Sequence, residues 1–137
     1  MGQRREARLL AVQFLYQCDA RPDADKPSNL QEFWELTGTK DFRYAEELIR
    51  GALEHRAELD QLISSYARNW KLSRITPVDR SILRLALHEM LHRDDIPPAG
   101  AINEAIEIAK MLSTEDSGKF INGILDHAKK DLKKGAA

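Results

Sequence analysis

The one string with the spacing of a metal-dependent catalytic centre is His88-Glu89-Met90-Leu91-His92. Two imidazoles at i and i+4 project from the same side of a helix, as two zinc ligands must, and the glutamate between them is the general base in a zinc hydrolase of that pattern. A third ligand would have to come from His55, His127 or a carboxylate, and no motif marks one. On a helical wheel His88 and His92 fall beside Ser81, away from the stripe of Leu83, Ala86 and Met90. The expectation is two solvated histidines and no metal site.

Nucleophilic chemistry is no better represented. Cys18 lies on the apolar stripe of its helix, where a thiol is core packing. There is no Gly-x-Ser-x-Gly elbow and no glycine-rich loop to cradle phosphate. The pairs Glu46-Glu47 and Glu115-Asp116 read as helix-surface and capping residues. No enzyme and no cofactor are expected.

Binding chemistry is richer. Arg4, Arg5 and Arg8 crowd the start of the first helix, where the dipole prefers acids and each cation costs roughly 0.3–1 kcal/mol. That cost hints at a use for the charge. Lys119 stands next to Phe120 at the start of the last helix. Arginines neutralise phosphates and an aromatic ring stacks on an unpaired base, the combination that holds single-stranded RNA. Set against this, surface arginines are common and Phe120 also suits a core stripe.

The elements that must position these residues are helices almost end to end. Ala7, Leu10, Ala11, Phe14, Leu15 and Cys18 recur at helical spacing. After Asp19 the prolines and turn formers of Ala20 to Asn29 predict a loop, and Asn29 to Leu36 a short helix ending at Gly38. Phe42, Ala45, Ile49, Ala52, Leu59, Ile63 and Tyr66 predict one or two long helices. Thr76-Pro77-Val78-Asp79 is a strong helix start, and the wide apolar coverage from Val78 to Leu91 predicts a central helix. Pro97-Pro98 breaks the chain before a helix at 101–112. Ser113 to Asp116 caps the last one, whose basic tail at about 129–137 is expected to fray. No strand alternation and no internal repeat occur. The fold class is all-α.

Length and charge bound the rest. At 137 residues, 42% of them hydrophobic, the chain suits one domain with its own core. With 21 basic against 22 acidic residues the net charge is −1, which excludes a globally basic nucleic-acid binder but not a local patch. No apolar run reaches the roughly 18 residues of a membrane span, and the basic N-terminus lacks a signal-peptide pattern. A reducing, cytoplasmic setting is expected, since one cysteine builds no disulfide framework.

Two ordered motifs then become recognisable. Ala101-Ile102-Asn103-Glu104-Ala105-Ile106-Glu107-Ile108-Ala109-Lys110, followed by Ser117-Gly118-Lys119-Phe120-Ile121-Asn122-Gly123-Ile124-Leu125-Asp126, strongly resembles the C-terminal signature of the NusB family of bacterial antitermination factors. The arginine-led first helix through Phe14-Leu15-Tyr16 agrees, as does Val78-Asp79-Arg80-Ser81-Ile82-Leu83-Arg84-Leu85-Ala86. The resemblance covers nearly the whole chain and is weakest from Arg21 to Lys40.

It implies a compact helical bundle of two three-helix halves. It further implies binding of boxA RNA together with NusE, a ribosomal protein, within an antitermination complex on RNA polymerase, notably on ribosomal RNA operons. Carried over by position, Arg4, Arg5, Arg8, Tyr66, Asp116, Lys119 and Phe120 fall on the RNA side, and Tyr16 and Asp79 on the face that meets NusE. Asp116 would cap its helix or accept hydrogen bonds from base amino groups. A homodimer through the partner-receiving surface is the alternative assembly. His88 stands where the family often has an aromatic residue. The competing reading is a NusB-like module of a ribosomal RNA methyltransferase; with no strand pattern before Ala137, a freestanding factor is expected.

Overall fold

Thr76 and Pro77 start the helix around which the rest is built. The Thr76 side chain accepts from the Asp79 backbone N–H at 3.2 Å, and Pro77 occupies the first turn where its missing donor costs nothing. The structure, a computed structural model, describes residues 3–21, 27–68 and 70–136. They form seven α-helices: α1 (Gln3–Ala20), α2 (Pro27–Thr37), α3 (Arg43–Glu54), α4 (Arg56–Tyr66), α5 (Pro77–His92), α6 (Pro98–Leu112) and α7 (Glu115–Ala136), with a 3₁₀ turn at Leu72–Arg74. Among the described residues there is no strand. The all-α expectation holds.

α1 and α3 pack on each other and on α5; α6 and α7 pack on each other and also on α5, and α4 contacts both α5 and α7. α5 thus belongs to both halves of the bundle, and every residue from Ser81 to Met90 is buried. α2 joins the first half through an aromatic chain of Phe14, Phe33, Trp34 and Phe42, with ring centroids 5.0–5.3 Å apart. It ends where Gly38 takes φ of 65° and Thr39 N–H bonds back to the Trp34 carbonyl, a left-handed stop that suits glycine.

Two expectations need correction. Ser81 and His88 do not face solvent: Ser81 is 0% and His88 5% exposed. A wheel assigns polar residues to water, but a helix enclosed on all sides has no wet face, so its polar groups find partners or stay dry. Ser81 bonds the Pro77 carbonyl. His88 packs onto Gly51 of α3, and burial first, then the nearby His92 and His55, hold its imidazole neutral with a pKa of about 4. The α7 backbone is helical as far as Ala136; Ala137 lies outside the described residues. Finally, α2 starts at Pro27, inside the expected loop, of which residues 22–26 lie outside the described residues.

Candidate nucleic-acid interface

The three arginines of α1 meet different fates. Arg8 is buried, and its guanidinium grips Glu89 of α5 through bonds of 2.9, 3.2 and 2.9 Å. The Tyr44 hydroxyl donates to the same carboxylate at 2.8 Å. Burial, then that bond, push the Tyr44 phenol up to about 12. Arg5 forks onto Glu104 of α6 at 2.9 Å for both bonds. Only Arg4 is largely exposed, resting over the Tyr44 ring at 4.8 Å with a long 3.4 Å contact to Asp95. The cost of cations at a helix start is thus offset within the fold for Arg8 and Arg5. Of the three arginines expected on the RNA side, the fold commits the Arg8 side chain to Glu89 and leaves Arg4 the most open.

At the junction of α4, the 3₁₀ turn and α7 the picture differs. Thr114 caps α7 by accepting from the Ser117 N–H at 3.1 Å, which sets Asp116, Lys119 and Phe120 on the first turns. Phe120 is half-buried: one side packs on the core while its ring meets Trp70 edge-on at 6.0 Å. Trp70 is 53% exposed. On one side of this pair lies an open groove of about 490 Å³ bordered by Tyr66, Arg68, Lys119, Gly123 and His127. On the other lies a depression of about 330 Å³ with Arg74, Ile75, Asp79, Asp116 and Ser117. Trp70 and Phe120 line both.

Among the described residues neither Arg68, Arg74 nor Lys119 forms an ion pair. Tyr66 stands 5.0 Å from the His127 ring, and burial followed by a bond to Asp131 raises its phenol pKa. Such a site offers flat apolar rings between uncommitted cations, which suits stacked bases with their phosphates alongside.

Residues 5–130 match the NusB family. The chain belongs to that family. The transcription antitermination protein NusB of Elusimicrobium minutum is 49% identical over 138 residues, covering 98% of this chain and 99% of that protein. The solved structure of T. maritima NusB superposes with a TM-score of 0.83 at 44% identity, over 94% of this chain and 92% of that one. A crystal structure of the antitermination factors NusB and NusE in complex with double-stranded RNA contains a chain 29% identical, with a TM-score of 0.83 over 93% of this chain and 96% of that one.

In this NusB-family fold the expected residues Tyr66, Lys119 and Phe120 come together, and Asp116 sits just across the aromatic pair. Tyr16 is 44% exposed on α1. Asp79 departs from its expected place on a partner-facing surface. It is 5% exposed, burial raises its pKa against bonds from Ser117, Thr76 and Ser113, and its Oδ1 lacks a partner. Sequence reasoning passed over Trp70 and Arg74, and weighed His127 only as a metal ligand. For Trp70 a signal existed: a lone tryptophan flanked within two residues by Arg68 and Lys71, in a stretch without apolar periodicity, has nothing to pack into.

Proposed function

We propose that this NusB-family chain is a non-enzymatic, RNA-binding antitermination factor that takes boxA-type RNA on the Trp70–Phe120 face and works with NusE on transcribing RNA polymerase. The observation that carries the RNA face is the aromatic pair set among Arg68, Arg74 and Lys119, cations with no acid partner among the described residues. Family membership and the related NusB–NusE–RNA crystal structure support the partner. Tyr16, exposed on α1, is the residue we assign to the NusE surface; Asp79 serves instead as a buried carboxyl at the start of α5. Work on nascent transcripts puts the protein in the bacterial cytoplasm. No helix among the described residues is long and apolar enough to cross a membrane.

The test is a titration of boxA-type single-stranded RNA, with and without NusE, across a salt series. Wild type should bind more tightly with NusE present. Phe120→Ala should lose on the order of 1–3 kcal/mol of RNA binding, the range for a stacked base. Because Phe120 is only half-buried, its stability loss should stay below the roughly 3–5 kcal/mol of a core phenylalanine. Full RNA affinity in the folded Phe120→Ala protein would exclude this face.

A further inference from the structure

The histidine string of α5 is not absorbed by RNA binding, and the fold rearranges it. His88 turns inward, whereas His92, the last residue of α5, meets two residues from the α3–α4 junction. His55 occupies the single non-helical position between those helices, and Glu58 sits in the first turn of α4. The His55 and His92 rings lie parallel, 3.8 Å between centroids and 7° between planes. His92 Nε2 is 2.7 Å from Glu58 Oε1. One ligand atom from each of the three residues lies within 4.8 Å of the other two.

We propose that His55, Glu58 and His92 form a binding site for a divalent transition-metal ion of the zinc type. Ligands about 2.1 Å from a tetrahedral ion stand roughly 3.4 Å apart, and each imidazole must hold the ion in its own ring plane. Binding therefore tilts the parallel His55 and His92 rings out of their stack and replaces the His92–Glu58 contact with two bonds to the ion. Two neutral imidazoles and one carboxylate suit Zn²⁺, Ni²⁺ or Cu²⁺ better than Mg²⁺, which prefers oxygen ligands and keeps its water. Three protein ligands leave a fourth position for water.

The electrostatic surroundings permit a cation. The neighbouring Arg93 is neutralised by Glu47 at 2.8 Å and Asp95 at 3.2 Å, and Arg56 is bound to Asp19 at 2.8 Å. Behind the ligands His88 lies 5.9 Å from the His55 ring and 5.6 Å from His92, with a buried Nδ1 that has no hydrogen-bond partner. The site is unlike the zinc-hydrolase pattern in the sequence: it takes one histidine of that string, discards the other, and recruits its remaining ligands from another helix junction. A bound ion would clamp the α3–α4 corner to the end of α5.

Tag-free, full-length protein titrated with ZnCl₂ in a calorimeter should take up one ion per chain. Its melting midpoint should rise by several degrees once zinc is in large excess over the dissociation constant. Glu58→Gln and His92→Asn should each weaken binding at least about tenfold, while His127→Asn, outside the ligand set, should not. Co²⁺ in place of Zn²⁺ should develop the intense visible bands of a low-coordinate ion. Both ligand variants replace side chains that are at least partly exposed, so folding checked by circular dichroism should be retained. No saturable uptake, or uptake surviving in both ligand variants, overturns the proposal.

Discussion

Arg4 and Arg8 are one turn apart on α1 and are chemically identical, yet one is a surface cation and the other half of a buried ion pair. Side-chain exposure is 53% for Arg4, 7% for Arg8 and 1% for Glu89. Removing Arg8 leaves Glu89 charged and dry, with only the Tyr44 hydroxyl for company. Arg8→Ala should therefore cost roughly 3–5 kcal/mol in denaturant unfolding. Arg4→Ala should leave stability nearly unchanged. In RNA titrations its effect should be confined to salt dependence, with the slope falling by about 0.7 for each single-strand phosphate that Arg4 neutralises in the wild type. A triple replacement of Arg4, Arg5 and Arg8 confounds the two effects, and only the single variants separate them. Should Arg8→Ala unfold at the wild-type denaturant concentration, the ion pair contributes nothing and Arg8 returns to the RNA candidates. The arginine cluster itself was legible in the sequence; its commitments were not. Glu89 lies 81 residues away from Arg8 and reads locally as part of a histidine motif.

At the scale of elements, the boundaries that were legible are those with local chemistry behind them. Thr76-Pro77 fixes the start of α5 and Gly38 the end of α2, because a cap and a left-handed stop act through neighbouring residues. The break at His55 was not legible, since no proline or glycine marks it and the apolar period runs across it. Nor was the enclosure of α5, which depends on helices packed on all its sides. One pair shows how closely they pack. A Cβ built on Gly51 of α3 would lie 2.1 Å from Cε1 and 2.2 Å from Nε2 of His88. In a free helix Gly→Ala gains up to about 1 kcal/mol. Here the clash with a ring that is itself enclosed should reverse the sign. Gly51→Ala is expected to destabilise by about 1–3 kcal/mol, the usual range for overpacking. Adding His88→Ala should recover part of that loss, so the two changes will not sum in a double-mutant cycle. Additive losses would show that the α3–α5 spacing is set elsewhere.

Across the whole molecule, the two halves are tied by a charge cluster that begins at Asp19. In the sequence this residue stands near the end of a helix, before an acidic loop, with nothing to mark it. Its carboxylate receives Arg84 at 2.8 Å, Arg56 at 2.8 Å and Arg80 at 3.3 Å, and Arg84 also grips Asp60 at 2.6 and 3.1 Å. α1, α4 and α5 thereby meet in one network of three guanidiniums and two carboxylates. Burial alone would raise the Asp19 pKa; Arg84, with help from Arg80 and Arg56, outweighs it and holds the carboxyl below its ordinary value. A carboxyl depressed in the folded state adds stability that is fully present above its unfolded pKa of about 3.9 and is lost as pH falls through the lower folded value. Asp19→Asn removes the central anion and leaves three arginines facing only Asp60. At pH 7 urea unfolding should show a loss of roughly 3 kcal/mol, near the lower end for breaking a buried pair. The gap between wild type and Asp19→Asn should hold steady from pH 8 to about pH 5. Below pH 4 it should narrow, because wild-type Asp19 then becomes protonated and both proteins lack the charge. A gap of the same size at pH 3 and pH 7 would mean that Asp19 joins the halves by shape and hydrogen bonding alone, with its charge contributing nothing.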